Sequence, residues 1–128
     1  MPCPRIYNIA SISGGGGTVT TEIIVCPFSF GDLSPKKLFT VPVNAYIVTT
    51  QIKIDIPFND LAASLTIGDS GTADKYMKTA ENDPLNPGEY ETNPSEKVLA
   101  AKDVYLTLSP GTSTQGNGVV VLEYGLQP

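Results

Sequence analysis

Apolar and polar positions alternate most strictly between Tyr46 and Phe58. Tyr46, Val48, Thr50, Ile52, Ile54, Ile56 and Phe58 interleave with Ile47, Thr49, Gln51, Lys53, Asp55 and Pro57. A period of two sends successive side chains to opposite faces of a strand, so the even positions are expected on one face and the odd positions on the other. Thirteen residues at ~3.3 Å each would span ~43 Å, a length that predicts a bend or bulge, or two shorter strands in sequence. Ala63, Leu65 and Ile67 resume the alternation, which makes Asn59-Asp60-Leu61 a hairpin connection by expectation. Gly68 to Asp74 then reads as a turn, with Gly71 at positive φ, after which Tyr76 and Met77 bring the chain back.

The same reading extends along the chain. Residues 18–30 are rich in β-branched and aromatic side chains and predict a strand, with Pro27 at an edge or bulge. Leu38 to Asn44 predicts a second, proline-marked strand after the turn residues 31–37. Residues 78–95 hold few apolar positions and three prolines and form the longest expected loop, with a short strand at residues 89–92. Residues 98–101, 104–108 and 118–124 supply the last strands, the final two separated by a polar loop from Ser109. No segment carries a capped helical period; residues 60–64 and 75–81 each allow one turn. The expected fold is all-β: an antiparallel β-sandwich of jelly-roll type with an extended N-terminal arm, the arm in residues 1–17 and the sandwich in 18–128.

Composition narrows the class of object. The chain has 128 residues, 41% hydrophobic and 16% charged, which suits one globular domain. Its apolar runs, such as Ile23-Ile24-Val25-Cys26 and Val119-Val120-Val121-Leu122, fall far short of the ~18 residues that cross a membrane. The first residues lack a basic flank followed by an apolar stretch, so no signal peptide and a cytoplasmic site of synthesis are expected. Net charge is −5, and Asp69 to Asp103 holds eight acids against four lysines. Arg5 is the sole arginine, so the clustered base that nucleic acid requires is missing. Cys3 and Cys26 are expected to be reduced, Cys26 as a small core residue, with a bridge between them as the alternative. Gly14 to Gly17 has no preferred conformation, and the apolar segment before it (Ile6, Tyr7, Ile9, Ile12) either forms an edge strand on its own domain or docks on a neighbouring subunit.

Candidate chemistry is sparse. The chain has no histidine, which removes the commonest general base and the serine–histidine arrangement. Glu89 and Glu91 stand two apart on one strand face, as a glycosidase pair would require, but solvated loop acids explain them far better. Asp69 and Asp74 flank a glycine turn and are the metal candidates; calcium would need six to eight oxygens, and an Asx turn uses the same residues without a metal. No catalytic residue, cofactor or small-molecule substrate is expected. Tyr76, Tyr90 and Tyr105 admit a carbohydrate-binding reading as stacking platforms, with ordinary cross-strand packing as the alternative.

One stretch carries a family likeness. Phe39-Thr-Val-Pro-Val-Asn44, the long strand, then Ala63-Ser-Leu-Thr-Ile-Gly-Asp-Ser-Gly-Thr-Ala-Asp-Lys-Tyr-Met77, with Gly118-Val-Val-Val-Leu-Glu-Tyr124, resembles the small virion proteins of tailed bacteriophages. Within them it is most similar to capsid cement, or decoration, proteins, over roughly residues 38–128. The resemblance implies a jelly roll, often a trimer, bound to the outside of a phage head after assembly in the bacterial cytoplasm. Its implied partners are major capsid protein and copies of itself, without nucleic acid or membrane. The contact residues would lie in the arm (Ile6, Tyr7, Ile9, Ile12) and at Tyr90. Head-fibre or tail-associated modules are the neighbouring alternative within the same kind of virion.

Overall fold

A computed structural model describes residues 5–14 and 17–126, with side chains over residues 21–125. In chain order the strands are β1 Arg5–Gly14, β2 Gly17–Ser29, β3 Lys36–Val41, β4 Tyr46–Ile56, β5 Ser64–Gly68, β6 Gly88–Thr92, β7 Glu96–Lys97, β8 Lys102–Ser109 and β9 Asn117–Leu126. A 3-10 turn at Thr79–Glu81 interrupts the long connection before β6. All pairings are antiparallel. The larger sheet runs β1-β2-β9-β4-β6, with β7 beside β4, and the smaller runs β3-β8-β5. Met77 bridges Ile67 and lengthens the smaller sheet by a short fourth row. From β2 onward the chain switches sheets at nearly every connection, so each sheet interleaves early and late strands. That is the double Greek-key order of a jelly roll.

The core lies between the inward faces. Ile24, Cys26, Phe28, Ile52, Ile54, Val120 and Leu122 from the larger sheet meet Leu38, Leu65, Ile67, Val104, Leu106 and Leu108 from the smaller, all buried. Phe39 stacks on Tyr124 at 5.6 Å between ring centroids, and Phe28 on Phe58 at 6.4 Å. The Tyr124 hydroxyl donates to Glu22, and burial together with that carboxylate pushes its pKa up. Thr50, the buried hydroxyl of β4, bonds Thr92 and the Tyr76 carbonyl, so its polarity is satisfied inside the sandwich.

β4 is bulged as its length predicted, and the bulge changes which residues point inward. Register against β9 shifts between Ile47 and Thr49 and again between Ile54 and Ile56. Ala45 and Ile47 are buried before the first shift, then Thr50, Ile52 and Ile54 after it, while Ile56 is 45% exposed. An extra residue in one strand reverses the side-chain phase, so the strict even-face expectation holds only between the bulges.

Other expectations need correction. Asn59-Asp60-Leu61 is not a hairpin connection, because β4 and β5 belong to different sheets and the loop is a corner between them. Residues 98–101 form a bend after β7 rather than a strand: Val98 is buried, whereas Leu99 is 80% exposed. Gly71 is not at positive φ; the positive-φ glycines among the described residues are Gly88, Gly111 and Gly116. Cys26 is buried as expected but disulfide-bonded rather than reduced. The chain's other cysteine, Cys3, lies outside the described residues. Cys26 follows Val25, which pairs with Arg5, the first described residue of β1.

Candidate functional site

The residues singled out for chemistry do not converge. Asp69 Oδ1 accepts the Gly71 and Thr72 amides at 2.9 and 2.7 Å, an Asx turn, while Oδ2 faces Lys102 at 3.3 Å and Lys75 at 3.7 Å. Asp74 is exposed on the far side of that turn. Glu89 and Glu91 are exposed on β6, opposite Lys53 and Gln51 in register. Tyr76 is buried in the core, which removes it as a stacking platform. Tyr90 packs against the core and donates to the Asn86 carbonyl at 2.9 Å. Tyr105 lies on the opposite, smaller sheet. Ile6, Tyr7, Ile9 and Ile12 fall on β1, whose side chains lie outside the described residues.

One end of the sandwich carries an ionic cluster that the sequence did not announce. Lys102 at the start of β8 reaches Asp69 and, at 3.2 Å, Glu96 of β7; Lys75 reaches the same Glu96 at 3.1 Å. Burial works to raise both carboxyls, but the amide and ammonium bonds outweigh it and hold Asp69 and Glu96 below their ordinary values. Burial likewise opposes the Lys102 charge, yet Glu96 and the other partners hold its pKa above the usual lysine value. An open cleft of about 690 Å³ lies over the cluster, with Leu99 and Ala101 on its lip. The four residues are scattered from 69 to 102 and meet only because the jelly roll gathers the β5, β7 and β8 ends.

The opposite end is a tip of interlocked loops. Asp60 accepts the Ala62 amide at 2.9 Å and both the amide and hydroxyl of Thr112 at 2.6 and 3.1 Å. Ser113 Oγ accepts the Asp60 amide, and Asn59 exchanges two bonds with Thr114. These bonds join the β4–β5 and β8–β9 loops into one unit and leave Leu61 90% exposed at its surface, while Leu33 in the β2–β3 loop is also 90% exposed. Asp60→Ala is expected to speed amide exchange several-fold at Ala62 and Thr112 while leaving the β4 and β9 amides protected. Hydrogen–deuterium exchange checks this, and unchanged loop protection would contradict the interlock.

The two outer faces differ sharply in character. On the smaller sheet Lys37, Thr40, Thr66, Asp103 and Thr107 face outward, with Thr40 bonded to Asp103 at 2.5 Å and Lys37 at 3.5 Å from it. On the larger sheet the outward positions of β2 and β9 include Ile23, Val25, Pro27, Val119 and Val121, all half-buried, with Glu123 opposite Ile23 and Gln51 and Lys53 alongside on β4.

The fold recurs in chains of solved assemblies. A chain of the cyanophage Pam1 capsid asymmetric unit matches at a TM-score of 0.64 and 18% identity, over 94% of each chain. A chain of the acid-stable capsid of Helicobacter pylori bacteriophage KHP30 matches at 0.66 and 15% identity, over 96% of this chain and 93% of that one. Both likenesses run end to end, between chains of about equal length. At these identities they show a shared fold. No protein-family model matches the chain, and no curated protein matches it by sequence.

Proposed function

We propose that this chain is a structural protein of a bacteriophage virion: a cement, or decoration, protein that binds the outside of the head as a homotrimer and stabilises the lattice of major capsid protein. The observation that carries the reading is the likeness to two chains of phage capsid assemblies over more than nine-tenths of each chain. The jelly roll and the loops interlocked at Asp60 add support, since preorganised loops lose little entropy on docking.

A protein that binds the assembled lattice but not its separate parts stabilises the lattice by mass action. Contacts repeated by symmetry add avidity, so each one need only be modest. In this reading the arm, with Ile6, Tyr7, Ile9 and Ile12, and the region of Tyr90 supply contacts, and no step of chemistry is involved.

The test is binding to purified heads that lack the protein. The full chain should bind as evenly spaced density on the outer head surface in electron micrographs and raise the temperature at which heads disrupt. A variant lacking residues 1–13 should remain folded and bind about tenfold more weakly or worse. Density at the tail would replace this reading with the tail-associated one, and unchanged occupancy by the shortened chain would remove the arm from the contact.

A further inference from the structure

A two-layer sandwich in water normally shows polar residues on both outer faces. Here the outer face of the larger sheet carries Gln51, Lys53, Glu89, Glu91 and Glu123, but also an apolar stripe along β2 and β9. The runs Ile23-Ile24-Val25-Cys26 and Val119-Val120-Val121-Leu122 break the alternation expected of a one-sided strand, and β2 and β9 lie side by side at the centre of the larger sheet. Consecutive apolar residues in neighbouring strands are the pattern of a sheet covered on both faces. Ile24, Cys26, Val120 and Leu122 fill the core, leaving Ile23, Val25, Val119 and Val121 for a third layer.

Residues of opposite charge stand in register at the two margins of that sheet. One row across the sheet reads Arg5, Val25, Val121, Gln51, Glu91 from β1 to β6. The next reads Pro27, Val119, Lys53, Glu89. The sole arginine thus stands at the β1 margin, and acids stand at the β6 margin. Five strands ~4.8 Å apart and about nine residues long make a face on the order of 700 Å², close to the ~800 Å² each partner contributes to a stable interface.

We propose that the outer face of the larger sheet is the surface through which copies of this chain pack together, with the Arg5 margin of one copy beside the Glu89 and Glu91 margin of the next. The inference rests on the reading of the chain as a self-associating virion component, and it names the surface that reading leaves open. Unlike margins that meet head to tail can close a ring, which accommodates a trimer.

The purified full chain, at tens of micromolar and without heads, should have an integral multiple of the monomer mass by light scattering. Val121→Lys should leave it monomeric with an unchanged far-ultraviolet spectrum, whereas Thr107→Lys on the smaller sheet should assemble normally. Glu91→Lys, at an exposed position, should weaken association about fivefold, and Arg5→Glu in the same chain should restore most of it; this pair decides the matter if Val121→Lys does not fold. A monomeric wild type, or a Val121→Lys chain that still assembles, would overturn the proposal. So would a monomeric wild type whose binding to heads is lost in Val121→Lys, since the face would then belong to the shell. An assembled chain that ignores heads would instead remove the virion reading and leave this one standing.

Discussion

Gly118→Ala is expected to cost the domain about 3 kcal/mol or more, enough to leave much of it unfolded at moderate temperature. Gly118 sits in β9 between Phe28 of β2 and Ile54 of β4. A Cβ there would overlap the Lys53 carbonyl oxygen and stand 3.1 Å from the Phe28 ring. The first of these neighbours is backbone in a paired strand, which cannot turn aside as a side chain can. Relief requires moving β4 away from β9, which strains the pairing at the centre of the larger sheet. Gly71→Ala is the control: the turn is open around it, and its φ lies outside the left-handed range, so the change should stay within about 0.5 kcal/mol. Urea unfolding curves for the two variants give the comparison, and equal midpoints would contradict the close-approach argument.

The second large effect is a stability profile that is flat near neutral pH and falls at both extremes. Asp32, Asp69 and Glu96 are held below their ordinary values of 3.8 and 4.5, burial opposing and hydrogen bonds with lysine contacts prevailing. A group depressed in the folded state contributes stability above its ordinary value, and that contribution disappears as pH falls through the lower folded value. Lys102, Tyr76 and Tyr124 are shifted upward. Their contributions are complete below the ordinary values of 10.0 to 10.5 and disappear as pH rises beyond them. No histidine titrates between these limits. The melting temperature should therefore change little from about pH 6 to 9 and drop by several degrees below pH 4 and above pH 10. Lys102→Met should shallow the acid limb, because Asp69 and Glu96 lose their shared cation. A melting temperature that falls steadily between pH 8 and 6 would contradict this assignment.

Much of the scaffold is legible in residue order. Alternation at Ile52 and Ile54, the turn after Gly68 and the short strand around Tyr90 are all local patterns, and each appears where it was expected. The misplaced features depend on which strand becomes whose neighbour. The connection at Asp60 looks like a hairpin because two alternating runs flank it, yet the runs enter different sheets. The Lys102 cluster cannot be read at all, since Asp69, Lys75, Glu96 and Lys102 share no spacing and meet only at the end of the sandwich. The apolar outer face lies between these cases. Its runs at Ile23 and Val119 are visible in the sequence, but their meaning emerges only once β2 and β9 are seen to adjoin. Cys26 is similar: its burial follows from an apolar strand, whereas no local pattern announces its disulfide.

The position of β9 also governs when the molecule can exist. The last of the described strands, Asn117–Leu126, lies between β2 and β4 and pairs with both along nearly its whole length. Until it leaves the ribosome, those earlier strands have no neighbour to join them, and the larger sheet stays in two pieces. Folding of the larger sheet must therefore wait for β9, and every nascent chain exposes unpaired strand edges in the interval. The crowded polysome is where this design is most exposed to misassembly.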